Sequence, residues 1–250
     1  MFALKLGLVA VSVLLASLAA RRFGHSVAGT LAGMPMIAGP IMGFLLLQQE
    51  PDQVRSVALA TLVCLPATIA HMVVFARAAR TLRWPAALGL ANLVFVGGGW
   101  ALSQLALPPI VVCALAMLAP VLGLAAMPRR SQGLAPVTIP QAELVLRVLA
   151  ALAMAAAIMR GASFLPAIVS GLLLAAPITG NVLPCFTLPR HGAAATASLL
   201  WGFVRGLFGF VAFFVVLYAA LPSLGAGAAY ALAWLGALGV ALSVYSWRWR

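Results

Sequence analysis

The sequence predicts an all-α, polytopic membrane protein, and three observations carry that prediction. Of its 250 residues 65% are hydrophobic and 7% charged, with a mean hydropathy of +1.15, a balance that water-soluble globular domains do not tolerate. The apolar residues fall into nine runs, each near the 20 or so residues that an α-helix needs to cross a hydrocarbon core about 30 Å thick. The fifteen Lys and Arg punctuate those runs instead of clustering among polar residues, so the net charge of +12 reads as membrane topology and not as a nucleic-acid surface.

The runs can be taken in order. Run one, 2 to 20, holds Lys5, an apolar stretch and small residues before Arg21, which is a signal-peptide pattern. Cleavage there would put Arg21 and Arg22 against the parity of every later loop, so the run is read as a retained helix. Run two, 26 to 47, follows "RRFGH" and contains "GTLAGMPMIAGPIMG". Run three, 54 to 76, lies between "QQEPDQVR" and "RAARTLRW". Run four, 85 to 105, is rich in Gly and Ala, and only Pro108 and Pro109 part it from run five, 108 to 127; such a pair also fits a kink. The long polar segment "PRRSQGLAPVTIP" precedes run six, 141 to 160, and "RGAS" precedes run seven, 163 to 183. "PCFTLPRHG" leads into run eight, 193 to 220, and "LPSLGAG" into run nine, 226 to 246.

Each crossing flips the side of the next loop. Nine crossings put Arg21, Arg22, Arg77, Arg80, Arg83, Arg129, Arg130, Arg147, Arg190, Arg248 and Arg250 on one face. The other face receives Lys5, Arg55 and Arg160 together with Glu50 and Asp52. By the positive-inside rule the Arg-rich face and the C-terminus are cytoplasmic and the N-terminus periplasmic, as in a bacterial inner membrane. Trp84, Trp100, Trp247 and Trp249 fall near the expected interfaces, where an aromatic belt sits.

The second half of the chain repeats the first. "FGHSVAGTLAGMPMIAGPIMG" corresponds to "ASFLPAIVSGLLLAAPITG", with Gly33 against Gly171, and the turns "QQEPDQ" and "FTLPRH" correspond as well. Runs one to four thus pair with runs six to nine, which divides the chain into a first repeat at 1–107, a linker helix and cytoplasmic loop at 108–140, and a second repeat at 141–250. Five crossings separate each run from its partner, and an odd displacement inverts the copy. This arrangement of "GPIMG" and "APITG" in inverted halves resembles the secondary transporters with inverted repeats and discontinuous helices. The resemblance is architectural, and it implies alternating access around a site near the membrane midplane; it assigns no residue a role.

The candidate site residues follow from what a membrane does to an interrupted helix. Gly29, Gly33, Pro35, Gly39, Pro40 and Gly43 crowd run two, and each proline removes a backbone donor and clashes with the carbonyl four residues back. In lipid, backbone freed in this way is tolerated only against protein or a water-filled cavity. Run seven repeats the pattern with Pro177, Thr179 and Asn181. Freed carbonyls can hold a cation and half-helix N-termini an anion, while the bland alternative is close packing of small residues. Arg205 lies about twelve residues into run eight, a charge near the midplane whose expected partners are carbonyls, a substrate anion or water, or else the open carbonyls of a neighbouring helix that it caps. Asn92 could line the same cavity. His71, in run three, is the candidate proton site. Glu143 and Arg147, spaced i, i+4, read as an ordinary interfacial ion pair.

No HExxH, GxSxG, pair of membrane-embedded acids or phosphate-binding Gly loop with Lys is present, so membrane hydrolase and ATP-driven pump readings lack their chemistry and no enzyme is expected. Cys64, Cys113 and Cys185 stand singly in apolar context and suggest neither disulfide nor metal. The expected function is a secondary transporter of a small anionic solute, with a passive channel and a lipid flippase or scramblase as alternatives. Its expected partners are the lipid bilayer and the solute, without nucleic acid; no cofactor is implied beyond a coupling ion, Na⁺ or H⁺.

Overall fold

The computed structural model describes residues 2–128, 140–162 and 175–246. Arg129, Arg130, Pro166, Gly171, Trp247, Arg248, Trp249 and Arg250, the 163–174 part of run seven, and the side chains of Lys5 and Arg160 lie outside the described residues. Among the described residues every element is a helix: α1 (Phe2–Phe23), α2 (His25–Gly33), α3 (Ala38–Gln48), α4 (Pro51–Ala78), α5 (Trp84–Gln104), α6 (Pro109–Ala126) and α7 (Gln141–Ala162). A last helical stretch, Ile178–Ser246, leaves helical geometry at Gly192 (φ 77°) and Gly225 (φ 74°), which divide it into α8 (178–191), α9 (193–224) and α10 (226–246). Gly24, between α1 and α2, has the same kind of backbone (φ 83°). A side chain at these three positions would meet the backbone, so each break is written as glycine.

Several of these helices are long and apolar enough to cross a membrane, among them α1, α4, α5 and α6. Proline marks where many begin. Pro51 and Pro109 open α4 and α6 in the first turn, where a missing N–H breaks no helical bond. In run two the prolines have different consequences. Met34, just before Pro35, is forced into extended geometry (φ −72°, ψ 161°), and α2 stops there. Pro40 falls in the first turn of α3, where its absent donor is one of the orphans, so the chain is interrupted once, at 34–37, and not at both prolines.

α4 is the central rod. Leu62, Leu65, Met72 and Phe75 on α4 are fully buried against Phe213, Phe214 and Leu217 of α9, Ala87 and Ala91 of α5, and Val112 and Ala116 of α6. A second core joins α1 (Val9, Val13, Ala16), α2 (Ala28), α7 (Ala151), α8 (Val182, Leu183) and α9 (Leu199). Leu93 and Trp100 of α5, Ile110 and Met117 of α6, and Leu235 and Leu242 of α10 stay exposed, as lipid-facing side chains do. α9 and α10 run antiparallel after Gly225: Phe213 meets the Trp234 ring at 5.3 Å, and a Cβ on Gly236 would touch Val216.

The tightest helix pair is α2 on α9. A Cβ on Gly29 would overlap the Leu199 carbonyl, one on Gly33 the Phe203 carbonyl, one on Gly202 the Ser26 carbonyl and one on Gly206 the Thr30 carbonyl. Two small-xxx-small faces therefore meet, and at Gly29 and Gly33 the close-packing alternative is what the backbone shows.

Candidate functional site

The interruption after α2 and the start of α8 come together. Ala32 lies in the last turn of α2, whose final carbonyls have no donor within the helix, and Thr179 Oγ1 donates to the Ala32 carbonyl at 3.2 Å. α8 starts just after Pro177, and its first turn closes with Asn181 N–H on the Pro177 carbonyl at 2.7 Å. From α4, Thr68 Oγ1 donates to the Ala175 carbonyl at 2.9 Å, and Gly180 leaves no room for a Cβ beside Met72. Pro35, Gly39, Pro177, Thr179 and Asn181 are buried and Pro40 is half-buried. Gly39 presses on Trp234, and its carbonyl accepts the Tyr230 hydroxyl at 3.3 Å, which ties α3 to α10. The N-termini of α3 and α8, each the positive end of a helix dipole, thus open beside one interruption.

Arg205 stands level with this junction, because its neighbour Gly206 packs on Thr30 and Gly33 at the end of α2. Its guanidinium turns toward α10, where Nη2 donates to the Val244 carbonyl at 2.7 Å, and it lies 5.0 Å from the Trp201 ring centroid. Arg205 thus bonds a backbone carbonyl of the neighbouring helix. Arg77 treats α6 in the same way, with Nε and Nη2 on the Ala126 carbonyl at 3.0 and 2.7 Å. At the opposite end of α4, Arg55 Nε donates to the Tyr218 carbonyl at 3.3 Å while its guanidinium lies over the Tyr218 ring.

Asn92 and His71 lie elsewhere. Asn92 is half-buried on α5, a helix packed on α4 and on the Ile178–Ser246 stretch. His71 is wholly buried between α4 and α5, with the Phe75 and Phe95 rings both at 6.4 Å and the Ala91 backbone beside it.

A second polar locus was not expected from the residues. Glu143 and Arg147, whose spacing predicts an ordinary interfacial ion pair, have side chains only 1% and 2% exposed. Helical spacing brings the two together but says nothing of what lies over them, and here α8 covers that face. Phe186 sits 5.7 Å from the Arg147 guanidinium, and Arg190 Nη1 reaches Glu143 Oε2 at 2.8 Å. Arg147 itself donates from Nε and Nη2 to Glu143 Oε1 at 3.0 and 2.6 Å. Beside them His25, at the start of α2, is 2% exposed, and its ring lies 5.1 Å from that of His191 at the end of α8. Neither nitrogen of His25 has a hydrogen-bond partner, nor has Nε2 of His191. One signal for this locus was in the chain all along: Glu143 is the single acid away from the 50–52 turn.

Among the described residues no three His, Cys, Asp or Glu side chains gather as metal ligands. No protein-family profile, curated protein or solved structure matches this chain.

Proposed function

We propose that this chain is a secondary transporter of a small anionic solute in a bacterial inner membrane. The reading takes nine crossings, namely α1, α2 with α3, α4, α5, α6, α7, the segment that ends in α8, α9 and α10, arranged as two inverted halves with the N-terminus periplasmic and the C-terminus cytoplasmic. The observation that carries it is the Thr179–Ala32 hydrogen bond, which joins two interrupted segments 147 positions apart. Backbone broken inside a membrane is retained where it lines protein or a cavity, and two half-helix N-termini at one place favour negative charge. Rocking of one half against the other would expose the junction to each side in turn, with Na⁺ or H⁺ as the coupling ion; no enzymatic step is assigned.

The test is transport in proteoliposomes. A panel of radiolabelled small anions is offered, and saturable uptake with counterflow of at least one is expected, with Pro35→Ala or Thr179→Val slowing it while the chain still elutes as a folded protein. Currents that never saturate would make it a pore. Translocation of a labelled phospholipid in place of any anion would make it a flippase, and Arg205→Ala without effect on any transported anion would remove Arg205 from the site.

A further inference from the structure

α2 and α8 meet at both of their ends. At one end Thr179, in the first turn of α8, donates to the Ala32 carbonyl in the last turn of α2 at 3.2 Å. At the other, His25 opens α2 and His191 closes α8, with ring centroids 5.1 Å apart. Between these contacts Ala28 shares an apolar cluster with Val182 and Leu183. The two helices are therefore antiparallel neighbours, bonded at the junction and touching through imidazoles at the far end. Each histidine also adjoins a bend: Gly24 (φ 83°) precedes His25 and Gly192 (φ 77°) follows His191. A Cβ on Gly192 would have no atom within 4 Å, so that bend is not packed in place.

The contact between the rings suits neutral histidines. His25 is 2% exposed, and neither of its nitrogens nor Nε2 of His191 has a hydrogen-bond partner. A proton gained there adds an N–H without an acceptor and a charge without water, and two charged rings at this spacing repel. Arg147 of α7 faces both rings, while Glu143 of α7 and Arg190 of α8 face His191; Arg21 of α1 lies near Arg147. A proton on His191 is thus eased by Glu143, whereas one on His25 meets the positive Arg147. We propose that His25 and His191 form a proton-binding site that latches α2 to α8. With both rings neutral the helices stay packed; protonation parts their histidine ends, by rotation at Gly24 and Gly192, while the Thr179–Ala32 bond holds the other end. The proton comes from the aqueous phase through His191, which is half-buried. The packed form is favoured above the ordinary histidine range, near about pH 6.5, and loses ground as pH falls below it, by about tenfold per pH unit for each proton taken up on separation. Within the carrier reading, on which this step alone rests, separation uncovers the junction from the histidine side and makes H⁺ the coupling ion.

The experiment is a spin-label distance measurement on the full chain in phosphatidylcholine nanodiscs, from about pH 8 to about pH 5. Cys64→Ala, Cys113→Ala and Cys185→Ala remove the native thiols, and Ser26→Cys on α2 and Pro189→Cys on α8 carry the labels. One short distance is expected at the alkaline end, joined on acidification by a longer one whose share relative to the first rises about tenfold per pH unit. His25→Phe with His191→Phe, rings that take no proton, should hold the short distance throughout. His191→Gln, at a half-buried position, serves if that double variant does not fold, and it should weaken the rise. The latch is overturned if the distance is unchanged across the range, or if the double variant, which keeps His71, still opens in acid. Uptake of the anion panel by the same chain in proteoliposomes separates the two readings. Opening without transport of any solute overturns the carrier and supports the latch; transport without opening overturns the latch and supports the carrier.

Discussion

The junction at 34–37 and the locus at Glu143 treat exposed polarity in opposite ways. At the junction the sequence is conspicuous, with prolines and glycines in a span, yet the carbonyls found there are taken up by Thr179, Thr68 and Tyr230, and Arg205 is held by α10. At the second locus the sequence is ordinary, an i, i+4 pair and two histidines in different loops, yet tertiary packing buries the ions and leaves imidazole nitrogens unpaired. An interruption in a helix is therefore a poor measure of unmet polarity. Backbone strain announces itself locally and is answered by whichever hydroxyl is nearest, whereas buried imidazole nitrogens without partners arise only when several elements converge.

The largest effect should come from breaking the buried pair. Glu143→Ala strands Arg147 beneath Phe186, and loss of one partner of a buried ion pair costs about 3–5 kcal/mol. Glu143→Leu combined with Arg147→Met should recover most of it, as read by thermal unfolding of the purified chain. Unaltered unfolding of Glu143→Ala would return the pair to the surface and erase the contrast between the two regions.

Next comes the α2–α9 contact that supports the junction. Gly206→Val drives a side chain into the Thr30 carbonyl and should destabilise by about 3 kcal/mol, while Gly89→Val, which has open space, should change stability by less than about 0.5 kcal/mol. Equal effects would mean that the helices do not meet as described.

Arg205→Met removes a charged hydrogen bond to the Val244 carbonyl and should lower stability by about 2 kcal/mol. Following unfolding and anion transport in the same variant sharpens the comparison: stability lost with transport kept marks a structural tie between α9 and α10, and transport lost with stability kept marks a contact to the solute. A smaller change than for Arg205→Met is expected of Thr179→Val, about 1 kcal/mol, since the Ala32 carbonyl loses a single neutral donor. A larger loss would show that the junction depends on that one hydroxyl.

Much of the helix order is legible residue by residue. The expected spans at 54–76, 85–105 and 108–127 lie within a few residues of α4 (Pro51–Ala78), α5 (Trp84–Gln104) and α6 (Pro109–Ala126), because proline at a helix start and polar loops act within one turn. The stop at Met34 is equally local, a steric consequence of the proline that follows. The partners of the candidate residues were not legible. Nothing near Gly29 says that it meets Leu199, nothing near Arg205 names Val244, and the spacing of Glu143 and Arg147 is the same whether α8 covers them or water does.

Composition and punctuation decide by themselves that this chain is helical and apolar enough for a membrane, since partition into hydrocarbon and the geometry of a single turn are properties of neighbouring residues. Packing alone decided that Gly202 and Gly206 would receive α2, that the Arg205 guanidinium would bond α10 at Val244, and that His25, Glu143, Arg147, Arg190 and His191 would come together. Those pairings bring together residues far apart in the chain, and burial, which determines what a charge or an imidazole must find, exists only once the helices have chosen their neighbours.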